Sequence, residues 1–420
     1  MKTIKIYLTY VLSFVFIFLL SCSNDKKVPL KQKLQNALDN GIKKYDVEGV
    51  SAAIIFPDEK KWIGTSGISH DTITIKPDML FAIGSVTKNF VATLTIKLVE
   101  EGKLSLDDPL SKWLPEYPHI NSKITIRQLL NHTSGIYMFW SNQEIWDDLK
   151  KDRTKIWKPE EVLTYIKEPY FEPGEGFRYS NTNYLLLAMI ITKATGSTLS
   201  SELDTHFWQP LNINSARLSL EEKIPNNQVH VYGDYFNNDG SYLDLTLLPQ
   251  ESHESITYGS SGIFITASDL ALWSHSLFGG KILNQKSMAE MLDFYTFMPS
   301  GNMSGYGLGV QLFRNKYANG KKAYGHSGAH IGNSTYMVYL PKHQLSVVVM
   351  INNMNHQCSE DILKNLVNIS LKELNDFSII PAFDFFPFGY VIIAAATYWL
   401  VYILIRIRRK SKRKTISRTE

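Results

Sequence analysis

The chain has 420 residues, of which 44% are hydrophobic and 20% charged, with a formal net charge of +4 and two cysteines. Its positive charge is concentrated after residue 405, where eight basic residues stand against one acidic residue. The remainder is slightly acidic, which argues against a nucleic-acid-binding surface. Cys22 and Cys358 are too few for a disulfide framework, and both ends of the chain carry segments distinct from a globular domain.

The first 22 residues have the pattern of a secretion signal. Lys2 and Lys5 precede an uncharged apolar run at Tyr7–Leu20, which is short for a membrane span but suits the core of a signal peptide. Leu19-Leu20-Ser21-Cys22 resembles a bacterial lipoprotein cleavage site, so residues 1–22 are predicted to be a signal peptide with Cys22 as the lipidated residue. The alternative is an uncleaved signal anchor in which Cys22 has no role.

Between residues 28 and 377 the predicted elements place strands at both ends and helices in the middle. A helix is expected at Lys31–Lys44 and a mainly helical, loop-rich region from about Leu104 to Asn284. We therefore predict an α+β fold with one antiparallel sheet built from both ends of the domain, flanked by helices, and a helical region inserted. The expected strands are Val50–Phe56, Lys61–Gly67, Gly307–Phe313, Lys322–His326, Ser334–Leu340 and Leu345–Ile351, and further helices are Asn183–Thr195 and Ser359–Leu374.

Ser85 is the first candidate for a reactive residue. The residues after it have the apolar spacing of a buried helix that ends near Gly102, which places Ser85 in its first turn and Lys88 three residues on. Side chains at this spacing share a helix face, about 5–6 Å apart at Cβ. A lysine beside a serine can take the proton that the hydroxyl must lose to become a nucleophile. The same four-residue pattern recurs at Ser23 and Ser411, outside any apolar helix, so the pattern alone is weak.

Two later segments carry further candidates. In the turn from Pro173 to Asn181, Tyr179 and Asn181 could direct a phenol at Ser85 and an amide at a substrate. The alternative is a helix cap with a packed tyrosine.

The second segment is Tyr324-Gly325-His326-Ser327-Gly328-Ala329. It predicts a strand whose glycines allow another backbone to approach closely, as at an oxyanion-binding edge. The alternative there is that His326 is an ordinary hydrogen-bonded strand histidine.

Three short motifs resemble those of the serine β-lactamase superfamily. They are Ser85-x-x-Lys88 on a helix, Tyr179-x-Asn181 in a turn and His326-x-Gly328 on a late strand, in that order along the chain. The similarity extends over about Leu34 to Leu374 and favours the branch of class C β-lactamases, D-alanyl-D-alanine carboxypeptidases, related esterases and penicillin-binding-protein-like members. Supporting matches are Leu129-Leu130-Asn131-His132-Thr133-Ser134-Gly135, Ser260-Ser261-Gly262, Thr266-Ala267-Ser268-Asp269-Leu270 and Gly332.

The resemblance implies a β-lactamase/transpeptidase-like fold and an acyl-enzyme mechanism that needs no metal or cofactor. Ser85 would attack a carbonyl carbon, while Lys88 and Tyr179 share its proton and Tyr179 passes one to the leaving group. The implied substrates are amides or esters: a peptidoglycan-type peptide, a β-lactam or a small ester. Substrate-binding and oxyanion roles, the latter with the Ser85 N–H, would fall on Asn181, His326, Gly328 and Ala329. No His-Glu-x-x-His motif or Cys/His cluster predicts a metal site.

His326 stands where many relatives carry a lysine that helps to bind a substrate carboxylate. A histidine with a pKa near 6.5 is mostly neutral at pH 7 and gains charge only toward pH 6. Carboxylate binding would therefore need another cation, and Arg314 on the preceding predicted strand is the candidate. The exchange favours peptidase or esterase activity over β-lactam hydrolysis.

The C-terminal end predicts a membrane anchor. Phe385–Ile405 is uncharged and long enough to cross a bilayer, and the basic residues 406–420 follow it. By the positive-inside rule the tail is cytoplasmic, so the domain at 28–377 is expected on the outer, periplasmic side of a bacterial membrane. The chain is thus predicted to be an exported, membrane-anchored serine hydrolase. The alternative is a penicillin- or peptide-binding sensor of the same fold that does not turn its ligand over.

Overall fold

Both ends of the described chain contribute strands to one large sheet. The computed structural model describes residues 28–234, 242–300, 302–314, 318 and 320–374. Within these residues the sheet has nine antiparallel strands in the order β3-β2-β1-β14-β13-β12-β11-β10-β9. Its strands are β1 (Gly49–Ile55), β2 (Lys61–His70), β3 (Ile73–Thr74), β9 (Tyr295–Ser300), β10 (Met303–Tyr306), β11 (Gln311–Phe313), β12 (Tyr324–His330), β13 (Asn333–Leu340) and β14 (Leu345–Ile351). Smaller sheets contain β4 (Phe81–Ala82), β5 (Arg217–Leu218) and β8 (Ile263–Ile265), and β6 (Tyr232–Gly233) with β7 (Leu243–Asp244).

The first and last long strands pair at the centre of the large sheet. β1 lies antiparallel to β14 with Val50 opposite Ile351, and every residue of both strands is buried. Such continuous burial explains why both strands are almost entirely apolar, with Ser51 and Ser346 as the exceptions. The predicted α+β class, with one antiparallel sheet from both ends of the domain, is confirmed. Strands β9 and β10 had no sequence prediction, and β11 is shorter and β12 longer than expected.

The helices cover the sheet and form the inserted region between β4 and β9. Helix α1 packs through its buried stripe of Leu34, Ala37, Leu38 and Gly41. In chain order the helices are α1 (Leu30–Tyr45), α2 (Thr87–Glu100), α3 (Leu110–Trp113), α4 (Ile126–Leu130), α5 (Gln143–Lys151), α6 (Pro159–Leu163), α7 (Asn181–Thr195), α8 (Leu199–Leu203), α9 (Gln209–Leu211), α10 (Glu251–Ile256), α11 (Ala267–Phe278), α12 (Gln285–Met291) and α13 (His356–Glu373).

Helix α2 is buried on nearly all sides, including its polar residues. Phe90 stacks on Trp273 with ring centroids 4.1 Å apart. The Asn89 side chain donates to the Gly309 carbonyl oxygen at 3.1 Å and accepts from Trp273 Nε1 at 2.8 Å, which satisfies its buried amide. Helix α2, which begins just after the turn that contains Ser85, is therefore anchored in the core.

The chain divides into two compact units after Ile369. The first unit runs to Ile369, and of the second unit only residues 370–374 are described, with α13 ending at Glu373. Several predicted segments lie outside the described residues: the signal peptide at 1–22 with Cys22, the apolar segment at 385–405 and the tail at 406–420. Among the residues that are described, no helix is both long and apolar enough to span a membrane.

Candidate active site

Ser85 lies in a short 3₁₀ turn, Gly84–Val86, immediately before α2 rather than within its first turn. This turn packs against strand β12. Gly84 has a φ of 52°, and a Cβ at this position would lie 2.2 Å from the Ala329 carbonyl oxygen. Both the left-handed backbone and the close approach require glycine. The Ser85 turn is thus held directly against the edge of the large sheet.

Lys88 is fully buried beside Ser85. Its Nζ lies 3.0 Å from Ser85 Oγ and donates to the Ser260 carbonyl oxygen at 2.8 Å. Burial lowers the pKa of Lys88 well below its ordinary value, because the ammonium loses its hydration. The lowered pKa favours the neutral amine, whose lone pair can accept the Ser85 hydroxyl proton. Ser260 belonged to a supporting motif in the sequence, but its carbonyl role could not be found from the motif.

Tyr179 completes a group with Ser85 and Lys88, so the structure brings together all three residues that the sequence grouped. Its phenol contacts the Ser85 hydroxyl, and Lys88 Nζ lies 5.0 Å from the centre of its ring. Burial raises the pKa of Tyr179, and the contact with Ser85 offsets only part of that rise. The phenol therefore carries its proton at neutral pH and can pass it on only when another group replaces it.

His132 holds the turn that presents Tyr179, a role that sequence analysis missed. Its Nδ1 accepts from the Ser180 backbone N–H at 3.2 Å and lies 3.1 Å from Asn183 Nδ2. Its ring packs on Tyr179 with centroids 4.3 Å apart. Burial lowers the pKa of His132, and the nearby Lys88 and His326 lower it further, so the ring is neutral. The motif around His132 was a visible signal, but a motif does not name the residues that it contacts.

The edge of β12 supplies backbone N–H groups beside Ser85. A Cβ at Gly328 would lie 2.0 Å from the Ile83 carbonyl oxygen and 3.1 Å from the Ser85 nitrogen, so the two backbones touch. The Ser327 N–H points away from β13 to the Gln311 side chain at 2.9 Å. Since alternate residues of a strand direct their N–H groups to the same edge, the Ala329 N–H faces this side too. This orientation is consistent with the oxyanion role predicted for the Ser85 and Ala329 N–H groups, which stays a prediction.

His326 is fully buried on β12, and its partner is a residue that the sequence did not single out. Nδ1 donates to the Ser327 carbonyl oxygen at 2.7 Å, so Nε2 accepts from the Tyr306 hydroxyl at 2.8 Å. Burial lowers the pKa of His326 to about 3, with a smaller contribution from the nearby Lys88 and a smaller opposing effect of the Ser327 carbonyl. The expectation that His326 gains charge toward pH 6 is wrong, because its desolvation could not be seen in the sequence.

Asn181 and Arg314 are the remaining predicted site residues. Asn181 begins α7, and its Oδ1 is buried without a hydrogen-bond partner, so its contact with a substrate amide stays a prediction. Arg314 follows β11, whose register runs from Gln311 opposite Gly325 to Phe313 bonded to Ala323. This direction leads away from His326, so the structure does not place Arg314 at Ser85.

Residues 34–366 match a family model described as Beta-lactamase. Penicillin-binding protein 4* of Bacillus subtilis is 30% identical over 292 residues, covering 66% of this chain and 62% of that protein. A D-aminopeptidase of Brucella anthropi is 24% identical over 298 residues, covering 70% of this chain and 53% of that protein. The chain thus spans little more than half the length of these relatives.

Solved structures give a similar picture over most of the domain. A D-amino acid amidase from Ochrobactrum anthropi SV3, complexed with L-phenylalanine, superposes with a TM-score of 0.73 and 26% identity, covering 83% of this chain and 99% of that chain. A D-stereospecific amidohydrolase from Streptomyces sp. superposes with a TM-score of 0.69 and 27% identity, covering 79% and 97%. In both cases the similarity is one of overall fold.

Proposed function

This chain belongs to the β-lactamase family of serine hydrolases, and from that premise we propose that it cleaves amide or ester bonds through an acyl-enzyme on Ser85. The observation that carries the proposal is the buried Lys88 amine, 3.0 Å from Ser85 Oγ, with its pKa lowered by burial. A neutral amine at this distance can remove the hydroxyl proton as the nucleophile attacks.

Acylation uses the residues around Ser85 in a balanced sequence of proton transfers. Ser85 Oγ bonds to the carbonyl carbon while its proton moves to Lys88 Nζ. The negative oxygen is stabilised by the N–H groups of Ser85 and Ala329. As the bond to the leaving group breaks, Tyr179 gives that group its proton and regains one from Lys88. In the second half of the reaction water attacks the acyl carbon and gives its proton to Tyr179, which passes one to Lys88. Lys88 returns a proton to Ser85 Oγ as the acid leaves.

We infer that the preferred substrates carry no carboxylate next to the reacting bond. Lys88 and the nearby His326 are both buried with lowered pKa values, so neither offers a permanent cation to a carboxylate. The unpartnered Oδ1 of Asn181 is suited to accept a substrate amide N–H. Amides and esters of amino acids or short peptides fit these features, in line with the amidase and aminopeptidase names of similar proteins.

The test compares matched substrates that differ in one group. Steady-state kcat/KM should be measured for a D-aminoacyl amide and its L isomer, and for a neutral ester and its carboxylated analogue, between pH 5.5 and 8. The neutral ester should react at least as well as its analogue, with no gain for the carboxylate in acid. A strong carboxylate preference at pH 8 that is lost in Arg314→Gln would contradict the inference. A stable fluorescent-penicillin adduct without turnover of any substrate would instead indicate a binding sensor.

We further propose that the hydrolase domain faces the outside of a bacterial cytoplasmic membrane, tethered at residues 385–405 and, through Cys22, by lipid. The support is the sequence alone: an apolar stretch of spanning length followed by a basic tail. Protease added to intact spheroplasts should digest the domain and spare a tag placed after Glu420. A domain that stays protected until the cells are lysed would overturn this orientation. Mass spectrometry of the mature N-terminus tests lipidation separately.

A further inference from the structure

A second cluster of chemically reactive side chains lies outside the group around Ser85. His253 and Glu254 on α10 and His330 at the end of β12 place potential ligand atoms within 4.8 Å of one another. All three residues are at most 6% exposed. Buried charged and imidazole groups of this kind are found where they are paired or bind a metal ion.

The contact between Glu254 and His330 does not have the geometry of a hydrogen bond. Glu254 Oε1 and His330 Nε2 are 2.7 Å apart, yet neither atom makes a hydrogen bond of acceptable direction. Both atoms are buried, and a cation bound beside them would satisfy the lone pairs that no hydrogen bond satisfies.

The other carboxylate oxygen has the partner that a ligating carboxylate needs. Glu254 Oε2 accepts from Ser219 Oγ at 2.6 Å. Hydrogen bonds of this type orient metal-binding carboxylates so that the remaining oxygen faces the ion. The His253 ring is also fixed, by stacking on Trp140 with centroids 5.6 Å apart and edge-on packing against His330 at 5.1 Å.

We propose that His253, Glu254 and His330 bind one divalent transition-metal ion of the Zn²⁺ type. Two imidazoles and one carboxylate are a recurrent protein ligand set for Zn²⁺, with water as the fourth ligand. Tetrahedral bonds of about 2.1 Å separate ligand atoms by about 3.4 Å. The distance between Glu254 Oε1 and His330 Nε2 must then increase by several tenths of an ångström when the ion binds.

The site ties together two elements that border the Ser85 group. His330 directly follows Ala329, whose N–H faces Ser85, and α10 leads into the segment whose Ser260 carbonyl accepts from Lys88. An ion shared by α10 and β12 fixes both segments relative to each other. Its role is thus structural, and the acyl-transfer steps do not pass through it. The sequence did not predict the site because its ligands come from separate segments without a known metal-binding spacing.

The test measures metal binding directly in the full chain. Purified protein, stripped with a chelator and dialysed, is titrated with Zn²⁺ or Co²⁺, and bound metal is counted by elemental analysis. Wild type should bind one ion per chain, show the visible absorption of four- or five-coordinate Co²⁺, and gain thermal stability. Glu254→Gln and His330→Gln should lower the affinity at least tenfold. The matched control is His275→Gln, another buried histidine on α11, which should bind as wild type does.

Two results would overturn the proposal. One is wild-type protein that binds no ion at 100-fold molar excess of Zn²⁺ or Co²⁺ and shows no Co²⁺ spectrum; this needs no variant and so does not depend on variant folding. The other is a folded Glu254→Gln variant that binds metal as tightly as wild type, which would assign the ion to adventitious surface groups. Neither readout uses hydrolytic activity, so failure here leaves the proposed hydrolase function untouched.

Discussion

Ser85→Ala should lower kcat/KM for every hydrolysed substrate by at least about 10⁴-fold, because the nucleophile has no substitute within the group. The substitution removes one hydroxyl from a half-buried turn, so thermal stability should change little. Ser201→Ala, a surface serine of α8, is the matched control and should keep wild-type activity. Retention of activity in Ser85→Ala would show that a different side chain attacks the substrate.

Lys88→Met should reduce kcat by about 10³-fold or more, because a thioether of similar shape cannot take the Ser85 proton. The same variant tests the protonation state of Lys88 through stability. Burial lowers the folded-state pKa of Lys88 below the ordinary 10.5, so between these two values the unfolded chain binds a proton that the folded chain lacks. In that window the wild-type free energy of unfolding must rise with pH relative to the variant.

The difference in free energy of unfolding between wild type and Lys88→Met should change by up to about 1.4 kcal/mol per pH unit. This slope vanishes above the pKa of Lys88 in the unfolded chain. All other titrating groups are shared by the two proteins and cancel in the comparison. Denaturant unfolding of wild type and Lys88→Met from pH 7 to 10 measures it. A difference that does not change with pH would mean that Lys88 keeps its proton in the folded protein, and another base would then be needed.

The part of the site that sequence predicts well depends on local geometry. Ser85 and Lys88 are three residues apart where a 3₁₀ turn leads into a helix, and this local spacing allows Lys88 Nζ to lie 3.0 Å from Ser85 Oγ. The carbonyl of Ser260 and the ring of His132 come from distant segments, and no periodicity links them to Lys88 or Tyr179. The same limit explains the error at His326, whose pKa is set by burial against Tyr306 and Lys88.

In the fold too, the elements that could be predicted are those recognisable from their own residues. β1 and β14 could be identified because fully buried strands have almost entirely apolar sequences. β9 was not predicted, and it is the last strand of the sheet. The His253, Glu254 and His330 cluster was hidden for the reason that concealed Ser260.

The most direct test of the central claim is the mass of the enzyme during reaction. Wild-type protein mixed with a slowly hydrolysed ester and quenched in acid should gain the mass of the acyl group, and peptide mapping should locate that mass on the peptide containing Ser85. The adduct should disappear as substrate is exhausted, and Ser85→Ala should show none. An adduct mapped to Ser260 or Ser327, or steady hydrolysis by Ser85→Ala, would contradict an acyl-enzyme on Ser85.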